Sequence, residues 1–526
     1  WRPMLVRDDI SRDIEALLRE HASDLVGVDI VTTPVRYYPY KNLSSHVLGY
    51  VGEIDAETLA KLRPAGYEQM TPEQRQKLNP LDYDVGDATG ATGVERAWES
   101  YLRGQSGWEK RVIDAHGRYH SGPEAERLLD DPKRQDPIPG RDLRLTIDME
   151  LMQSIERAMR PFAAGAVVAV DVRTGRVLAA YSKPDYDPND LSGSGGKQRV
   201  RETYAHLSND PLRPLLDKTM SGAFQPGSTF KPFSALAALE GSLVDPDQKE
   251  RCDGFLMFGR RIFHCTHVHG KVNMHDAIAA SCNVYFFKLA ETVGMDRIAK
   301  IAADFGLGEK TGLGTNPEAS GRVPNRSWYA LRYQGQFRIG FTLNEAIGQG
   351  DALVTPLQLA LAYGALANGG TLYSPEIVRA IETSDGEVAQ EFPPRVRPHK
   401  VDVKPENLAR VVDALRAVVD DPRGTAYPVR DPALDIAGKT GTAQTGYIPK
   451  KGDDAKKIAY YSRDHAWFVG FAPARAPEVA VVVFVEHGGS GPTVAAPVAI
   501  QIIREYERLM ATRGPHVKPQ PPPPPH

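Results

Sequence analysis

A serine and a lysine spaced like a nucleophile and its base stand in residues 227–231, which read Gly-Ser-Thr-Phe-Lys. If this segment opens a helix, positions i and i+3 share one face, and the Lys231 amine can reach the Ser228 oxygen. A serine hydroxyl attacks well once a base takes its proton, and lysine is such a base when burial or a nearby cation lowers its pKa. The pair indicates covalent catalysis, although an isolated match also fits an exposed Ser and Lys at a helix start.

Two further polar motifs follow along the chain. Residues 281–283 (Ser-Cys-Asn) lie between two helical patterns, where a hydroxyl and an amide can converge on a substrate peptide, and residues 437–442 (Ala-Gly-Lys-Thr-Gly-Thr) end a β-rich arm. In that arm Lys439 can meet a carboxylate, Thr440 can hydrogen-bond it, and Gly441 lets a bound carbonyl lie close to the strand. S-x-x-K, S-x-N and K-T-G in this order form the three-part pattern of penicillin-binding proteins and serine β-lactamases.

A possible metal site overlaps the second motif. Its four candidate ligands fall within one short stretch, and they are Cys252, Cys265, His269 and Cys282. Three cysteines and a histidine are a common tetrahedral set for structural zinc. Because Cys282 lies between Ser281 and Asn283, a bound zinc would hold that motif directly.

Two other interpretations of the same cysteines stay open. In an oxidising compartment an odd count fits one disulfide, such as Cys252 with Cys265, together with a buried free thiol. All three cysteines could also be small buried hydrophobes. If zinc is bound, the spare candidates for a replaced ligand are His264, His267 and Asp253.

The composition is that of a soluble globular protein of two or three units. Hydrophobic residues make up 41% of the 526, charged residues 25%, and the formal net charge is −3. This balance gives no support to a nucleic-acid partner, which usually shows as a basic surface. No stretch approaches the roughly 18 apolar residues of a membrane helix. Because the chain begins with Trp1 and has no signal-peptide pattern, we expect its natural start, with an anchor, to have been removed.

The elements that must position the motifs divide the chain at a Pro-rich, charged linker, 132–140. We expect an extended α+β module at 1–139, a catalytic unit at 140–511 and a disordered Pro-rich tail at 512–526. The catalytic unit is predicted to contain a hairpin at 165–183, helices at 230–239, 284–305 and 356–368, strands at 434–444, 466–472 and 479–486, and a closing helix at 497–511. Helices packed on an antiparallel sheet fit this order.

Several motifs outside the site make the chain resemble the class B penicillin-binding proteins, most closely penicillin-binding protein 2, the elongation transpeptidase. The first module carries Arg-Tyr-Tyr-Pro at 36–39, His-Val-Leu-Gly-Tyr-Val-Gly at 46–52 and Gly-Val-Glu at 93–95, which resemble that family's pedestal. The catalytic unit carries Gly-Gln-Gly at 348–350, Thr-Pro-Leu-Gln at 355–358 and His-Ala-Trp-Phe-Val-Gly at 465–470, which resemble its framework. The resemblance implies a serine β-lactamase-like transpeptidase fold above the pedestal.

The resemblance also implies a mechanism. Ser228 would attack the penultimate D-alanine carbonyl of a peptidoglycan stem peptide, with Lys231 as base, and the N–H groups of Ser228 and Thr442 would form the oxyanion hole. Ser281 would relay a proton to the leaving amine, and Asn283 would hold the substrate backbone. The acyl group would pass to an amine of a neighbouring strand, and β-lactams would mimic the D-alanyl-D-alanine end and become trapped.

The resemblance further implies where and with what the protein works. Relatives in the elongation group can carry zinc beside the active site, with ligands in the stretch that holds the three cysteines. The family location is the periplasmic face of the inner membrane, reached through a membrane anchor. The expected partners are a RodA-type glycan polymerase and an MreC-type scaffold.

Two rival functions use the same motifs. A β-lactamase or D,D-carboxypeptidase shares the acylation apparatus, but the Glu-x-x-Leu-Asn loop that deacylates class A β-lactamases has no clear counterpart before Lys439. A catalytically silent β-lactam sensor would keep the fold and would not need the intact set of motif residues. The large first module and the complete motifs favour a transpeptidase.

Overall fold

The structure, a computed structural model, describes residues 6–22, 24–25, 27–32, 35–114, 119–120, 122–193, 196–398, 401–450 and 452–513. The first module is built from short elements around small cores. Its helices are α1 (Arg12–Glu20), α2 (Ser45–Leu48), α3 (Ala56–Leu62), α4 (Pro72–Leu78), α5 (Gly93–Ala97), α6 (Glu99–Leu102) and α7 (Pro123–Glu126). Its strands pair as three separate two-stranded sheets, β1 (Val51–Glu53) with β2 (Ala88–Gly90), β3 (Trp108–Glu109) with β6 (Arg134–Gln135), and β4 (Val112–Ile113) with β5 (Tyr119–His120).

The catalytic unit alternates strands with longer helices. Its helices are α8 (Met149–Met159), α9 (Gly196–Asn209), α10 (Lys231–Glu240), α11 (Met274–Ala279), α12 (Asn283–Val293), α13 (Met295–Asp304), α14 (Arg326–Arg332), α15 (Ile339–Ala346), α16 (Pro356–Ala367), α17 (Pro405–Asp420), α18 (Ala455–Tyr461) and α19 (Ala496–Arg513). Its strands are β7 (Asp142–Leu145), β8 (Gly165–Asp171), β9 (Val177–Lys183), β10 (Glu250–Cys252), β11 (Phe255–Phe258), β12 (Arg261–His264), β13 (Gly270–Val272), β14 (Val378–Glu382), β15 (Val388–Glu391), β16 (Ala437–Ala443), β17 (His465–Ala472) and β18 (Val479–Val485).

A five-stranded antiparallel sheet in the order β16-β17-β18-β8-β9 forms the centre of this unit. Helices α8 and α19 pack on one face of the sheet, and α16 packs on the other. All seven residues of β18 are buried, which explains why its sequence is apolar throughout instead of alternating. The predicted α+β architecture, an antiparallel sheet flanked by helices, is therefore confirmed.

The structure differs from the sequence prediction in its detail. The single helix expected at 284–305 is two helices, because Gly294, with a φ of +78°, ends α12 and precedes α13. Residues 250–272, for which no element was predicted, form two small antiparallel pairs, β10 with β13 and β11 with β12. The closing helix continues to Arg513, so residues 512 and 513 are helical and do not belong to a disordered tail. The rest of the predicted tail lies outside the described residues.

The two units share a hydrogen-bonded junction. The buried side chain of Asn316 accepts from the Gly93 N–H at 2.9 Å and donates to the His46 carbonyl at 2.7 Å. Asn189 exchanges two hydrogen bonds with the Tyr38 backbone, at 2.8 and 2.9 Å. Buried polar groups that satisfy one another in this way fix the geometry of an interface.

In the part of the chain that the structure describes, no helix is long and apolar enough to span a membrane.

Candidate active site

Ser228 lies in a single 3₁₀ turn, Gly227–Phe230, that leads directly into α10. Gly227 has a φ of +55°, and a Cβ on it would lie 2.6 Å from the Thr442 carbonyl oxygen, so only glycine fits there. Ser228 is partly exposed, whereas its neighbours in the turn are buried. The turn therefore presents the serine hydroxyl at the surface of a rigid support.

The Lys231 amine lies at the centre of the site. It donates to the Ser281 carbonyl at 2.7 Å, to the Ser281 hydroxyl at 3.1 Å and to Asn283 Oδ1 at 2.8 Å. Burial lowers the pKa of Lys231 to about 8. Within the part of the chain that the structure describes, the Lys231 amine makes no hydrogen bond to Ser228. Catalytic hydrogen bonds are often long in ligand-free sites and tighten only once substrate binds. The amine is placed to take up a proton near neutral pH.

The loop between α11 and α12 presents Ser281 in an unusual conformation. Ser281 is buried and has a φ of +57°, in the left-handed region, which costs a non-glycine residue about 1–3 kcal/mol. Asn283 begins α12, and its side-chain Nδ2 donates to the His264 carbonyl of β12 at 3.2 Å. Lys231 thus holds the strained Ser281, and β12 holds Asn283 two residues further along the loop.

The K-T-G residues lie on β16, which is an edge strand of the central sheet. Lys439 is fully buried, and its pKa is well below the ordinary value because of burial and the neighbouring Lys231 amine. Thr440 Oγ1 lies 2.6 Å from Thr425 Oγ1. A Cβ on Gly441 would approach Thr229 Cγ2 to 2.9 Å, so the strand lies tight against the nucleophile turn. Among the described strands only β17 pairs with β16, so the other edge of β16 can pair with an extended peptide.

The three cysteines and His269 meet beside this loop. Their ligand atoms all lie within 4.8 Å of one another, and the distances include Cys252 Sγ to His269 Nδ1 at 3.5 Å, Cys265 Sγ to His269 Nδ1 at 3.4 Å and Cys265 Sγ to Cys282 Sγ at 4.0 Å. All three thiols are free, so the disulfide interpretation does not describe this structure. The cluster touches the site, because the Asn283 N–H donates to Cys265 Sγ at 3.1 Å.

Comparisons with known proteins cover nearly the whole chain. The penicillin binding protein transpeptidase domain matches residues 165–504, and the penicillin-binding protein dimerisation domain matches residues 1–145. Peptidoglycan D,D-transpeptidase MrdA of Acinetobacter baumannii is 34% identical over 90% of this chain and 66% of the relative, and MrdA of Escherichia coli is 32% identical over 89% and 70%. The chain therefore spans about two thirds of the length of these relatives.

Solved structures agree with these matches. Pseudomonas aeruginosa penicillin-binding protein 2 (PBP2), in complex with WCK 5153, superposes with a TM-score of 0.70 at 33% identity, covering 91% of this chain and 92% of that one. PBP2 of Helicobacter pylori in complex with MreC gives a TM-score of 0.75 at 26% identity, covering 94% and 84%. The chain belongs to the penicillin-binding protein 2 family. The family resemblance inferred from the motifs is thereby confirmed.

Within this penicillin-binding protein 2 fold, the three motifs predicted from the sequence meet at one place. The structure brings Lys231 into contact with Ser281 and Asn283, and the Lys231 amine lies near enough to Lys439 to lower the pKa of that side chain. Thr425, which joins the site through Thr440, was missed by the sequence analysis. A single threonine after a helix has no motif spacing that could have indicated it.

Proposed function

We propose that this chain cross-links peptidoglycan stem peptides as a D,D-transpeptidase during cell-wall elongation, through an acyl-enzyme on Ser228. The observation that supports it most strongly is the buried amine of Lys231, which begins α10 directly after the Ser228 turn and is hydrogen-bonded to both Ser281 and Asn283. A sensor would not require this intact array. The transpeptidase names of the relatives support the same reaction.

Acylation begins when the neutral Lys231 amine takes the proton of the Ser228 hydroxyl. The hydroxyl oxygen attacks the penultimate D-alanine carbonyl, and the carbonyl oxygen gains negative charge. The N–H groups of Ser228 and Thr442 stabilise that oxyanion. Ser281, in contact with Lys231, then passes the proton to the departing D-alanine amine as the C–N bond breaks.

Substrate binding uses the edge strand. The stem peptide pairs with β16, and the Lys439 amine and Thr440 hydroxyl receive its terminal carboxylate. Asn283 orients the peptide from the opposite wall of the cleft. The acyl group then passes to an amine of a neighbouring strand, and a β-lactam ring follows the same path but leaves a stable acyl-enzyme.

The cysteine–histidine cluster fits a structural zinc ion. Tetrahedral zinc separates its sulfur and nitrogen ligands by about 3.5–3.8 Å, close to the spacings within the cluster. Cys252, Cys265, His269 and Cys282 would hold the metal, which would cross-link the loop as a closed structural site with all four positions filled by protein. Because the Asn283 N–H donates to Cys265 Sγ, a metal bound by Cys265 would also hold Asn283 in place in the active site.

The expected location and partners follow from the family. A solved complex joins PBP2 to MreC in Helicobacter pylori, and another similar structure is that of a peptidoglycan synthase complex. We infer that this chain is the periplasmic part of an inner-membrane protein. An MreC-type scaffold and a RodA-type glycan polymerase would bind it there.

An experiment with a peptide donor distinguishes transfer of the acyl group to an amine from hydrolysis of the acyl-enzyme. The purified chain is mixed with a D-alanyl-D-alanine-ended pentapeptide and a different D-amino acid as acceptor, and the products are weighed by mass spectrometry. A transpeptidase exchanges the terminal D-alanine for the added amino acid, and Ser228→Ala abolishes the exchange. A product shortened by one D-alanine, without exchange, would instead indicate a carboxypeptidase.

A further inference from the structure

The loop of residues 348–350, Gly-Gln-Gly, lies against the nucleophile turn. The Gly227 N–H donates to the Gly348 carbonyl at 2.9 Å, and Gln225 Nε2 donates to the Gly350 carbonyl at 2.6 Å. A Cβ on Gly348 would lie 2.2 Å from the Gly227 carbonyl oxygen, so the two backbones pack as closely as glycine allows. The loop is therefore fixed relative to the peptide that precedes Ser228.

The side chain between those glycines reaches the facing strand. Gln349 Nε2 donates to the Thr442 carbonyl at 3.2 Å, and the Gly491 N–H donates to Thr442 Oγ1, also at 3.2 Å. In an antiparallel strand the N–H and C=O of one residue point to the same side. A donor that holds the Thr442 carbonyl consequently fixes the direction of the Thr442 N–H as well.

We propose that Gln349 is a positioning residue that sets the separation of the two oxyanion-hole donors, Ser228 N–H and Thr442 N–H. The loop is bonded to the Ser228 side through Gly227 and to the β16 side through Gln349, so it links two elements that lie far apart in sequence. Gln349 acts on the oxyanion through Thr442 and does not touch substrate. This inference rests on the proposed function, because the hole matters only if Ser228 is acylated.

Positioning of this kind has a distinct kinetic signature. An oxyanion forms when the carbonyl is attacked and not in the noncovalent complex, so losing the Gln349 hydrogen bond should slow the acylation step and leave ground-state binding of a β-lactam unchanged. Removing one net hydrogen bond corresponds to about a tenfold change in rate. The effect is smaller than the loss of about 100-fold or more expected when a donor itself is removed.

The test compares Gln349→Met and Gln349→Glu with the parent chain, using saturation kinetics of benzylpenicillin acylation. Methionine keeps the length and removes the donor, so the acylation rate constant should fall about tenfold with a Kd within about twofold. The glutamate carboxylate cannot donate to the Thr442 carbonyl, but its protonated form can. The rate of Gln349→Glu relative to the parent should therefore be lowest at alkaline pH and recover as the pH falls.

The matched control is Gln76→Glu, which adds the same charge at an exposed position of α4. Its rate relative to the parent should not change with pH. The inference is overturned if Gln349→Met acylates at the parent rate, or if the Gln349→Glu ratio is low but independent of pH, which would indicate simple disruption of packing. A parent chain that is not acylated at all would remove the proposed function, and the inference with it.

Discussion

The buried amine of Lys231 gives acylation a defined dependence on pH. Because burial lowers its pKa to about 8, the neutral form that can accept the Ser228 proton accumulates as the pH approaches that value. We expect the acylation rate to rise about tenfold per pH unit well below pH 8 and to level off above it. Stopped-flow measurement with a fluorescent penicillin from about pH 6 to pH 9.5 tests this.

The control for this prediction is Lys231→Arg. A guanidinium keeps the charge but stays protonated throughout the range, so the variant should not be acylated at a measurable rate. A parent rate that is flat, or that falls as the pH rises, would contradict Lys231 as the base.

A second residue-scale prediction concerns the Thr425–Thr440 hydroxyl pair. At 2.6 Å the Thr425 hydroxyl can donate to Thr440 Oγ1 and leave the Thr440 proton free for a substrate carboxylate. Thr425→Val should raise the Kd for a β-lactam about fivefold, the cost of about 1 kcal/mol, with little change in the acylation rate constant. Thr425→Ser keeps the hydroxyl and should bind like the parent. Equal weakening in both variants would show that the methyl group matters and the hydrogen bond does not.

At the scale of elements, we expect the four strands between 250 and 272 to depend on the cysteine–histidine cluster. Isolated two-stranded sheets are marginally stable in water, so another interaction must hold them. Cys252→Ala should lose the roughly one equivalent of zinc expected for the parent, and this arm should become sensitive to protease. Elemental analysis and limited proteolysis measure the two effects.

His264→Ala is the matched control for the cluster. His264 belongs to the same arm, but its side chain is outside the four-residue set, so this variant should keep its metal. A parent chain purified without metal, with three free thiols and a protease-resistant arm, would contradict the zinc proposal.

The helices and strands also show what sequence patterns could and could not predict. The runs of buried residues in β8 and β18 and the spacing in α10 and α16 carry strong local signals, and these elements were predicted correctly. The β10–β13 pairs have short strands with mixed exposure, which local periodicity cannot distinguish from loop. The residues of that arm were singled out by cysteine chemistry and not by any strand pattern.

At the scale of the whole molecule, Asn316 joins the two units. Its buried side chain bonds the Gly93 N–H, the His46 carbonyl and Asp217 Oδ2, so Asn316→Ala leaves three buried polar groups without partners. We expect the free energy of unfolding to fall by about 3 kcal/mol. Urea denaturation measures it, with the exposed Asn209→Ala as a control that should change it by less than about 0.5 kcal/mol. Equal stabilities of the parent and Asn316→Ala would contradict this role.

At this scale, too, the sequence predicted only some of the residues that meet at the active site and at the junction of the two units. Motif order indicated that residues near 228, 281 and 439 meet, because three common patterns in one sequence imply one chemistry. Contacts such as Asn316 with Gly93, or Thr425 with Thr440, join residues with no shared local pattern. These contacts depend on how the strands and helices pack, and no local stretch of the sequence indicates that packing.

The intact mass of the purified chain after incubation with benzylpenicillin tests the Ser228 acyl-enzyme most directly. We expect a single stable adduct on the parent and on the exposed-serine control Ser208→Ala, and none on Ser228→Ala. An unmodified parent with the drug hydrolysed would make the protein a β-lactamase. An unmodified parent with the drug intact would make its site catalytically silent, and either result would contradict a stable acyl-enzyme on Ser228.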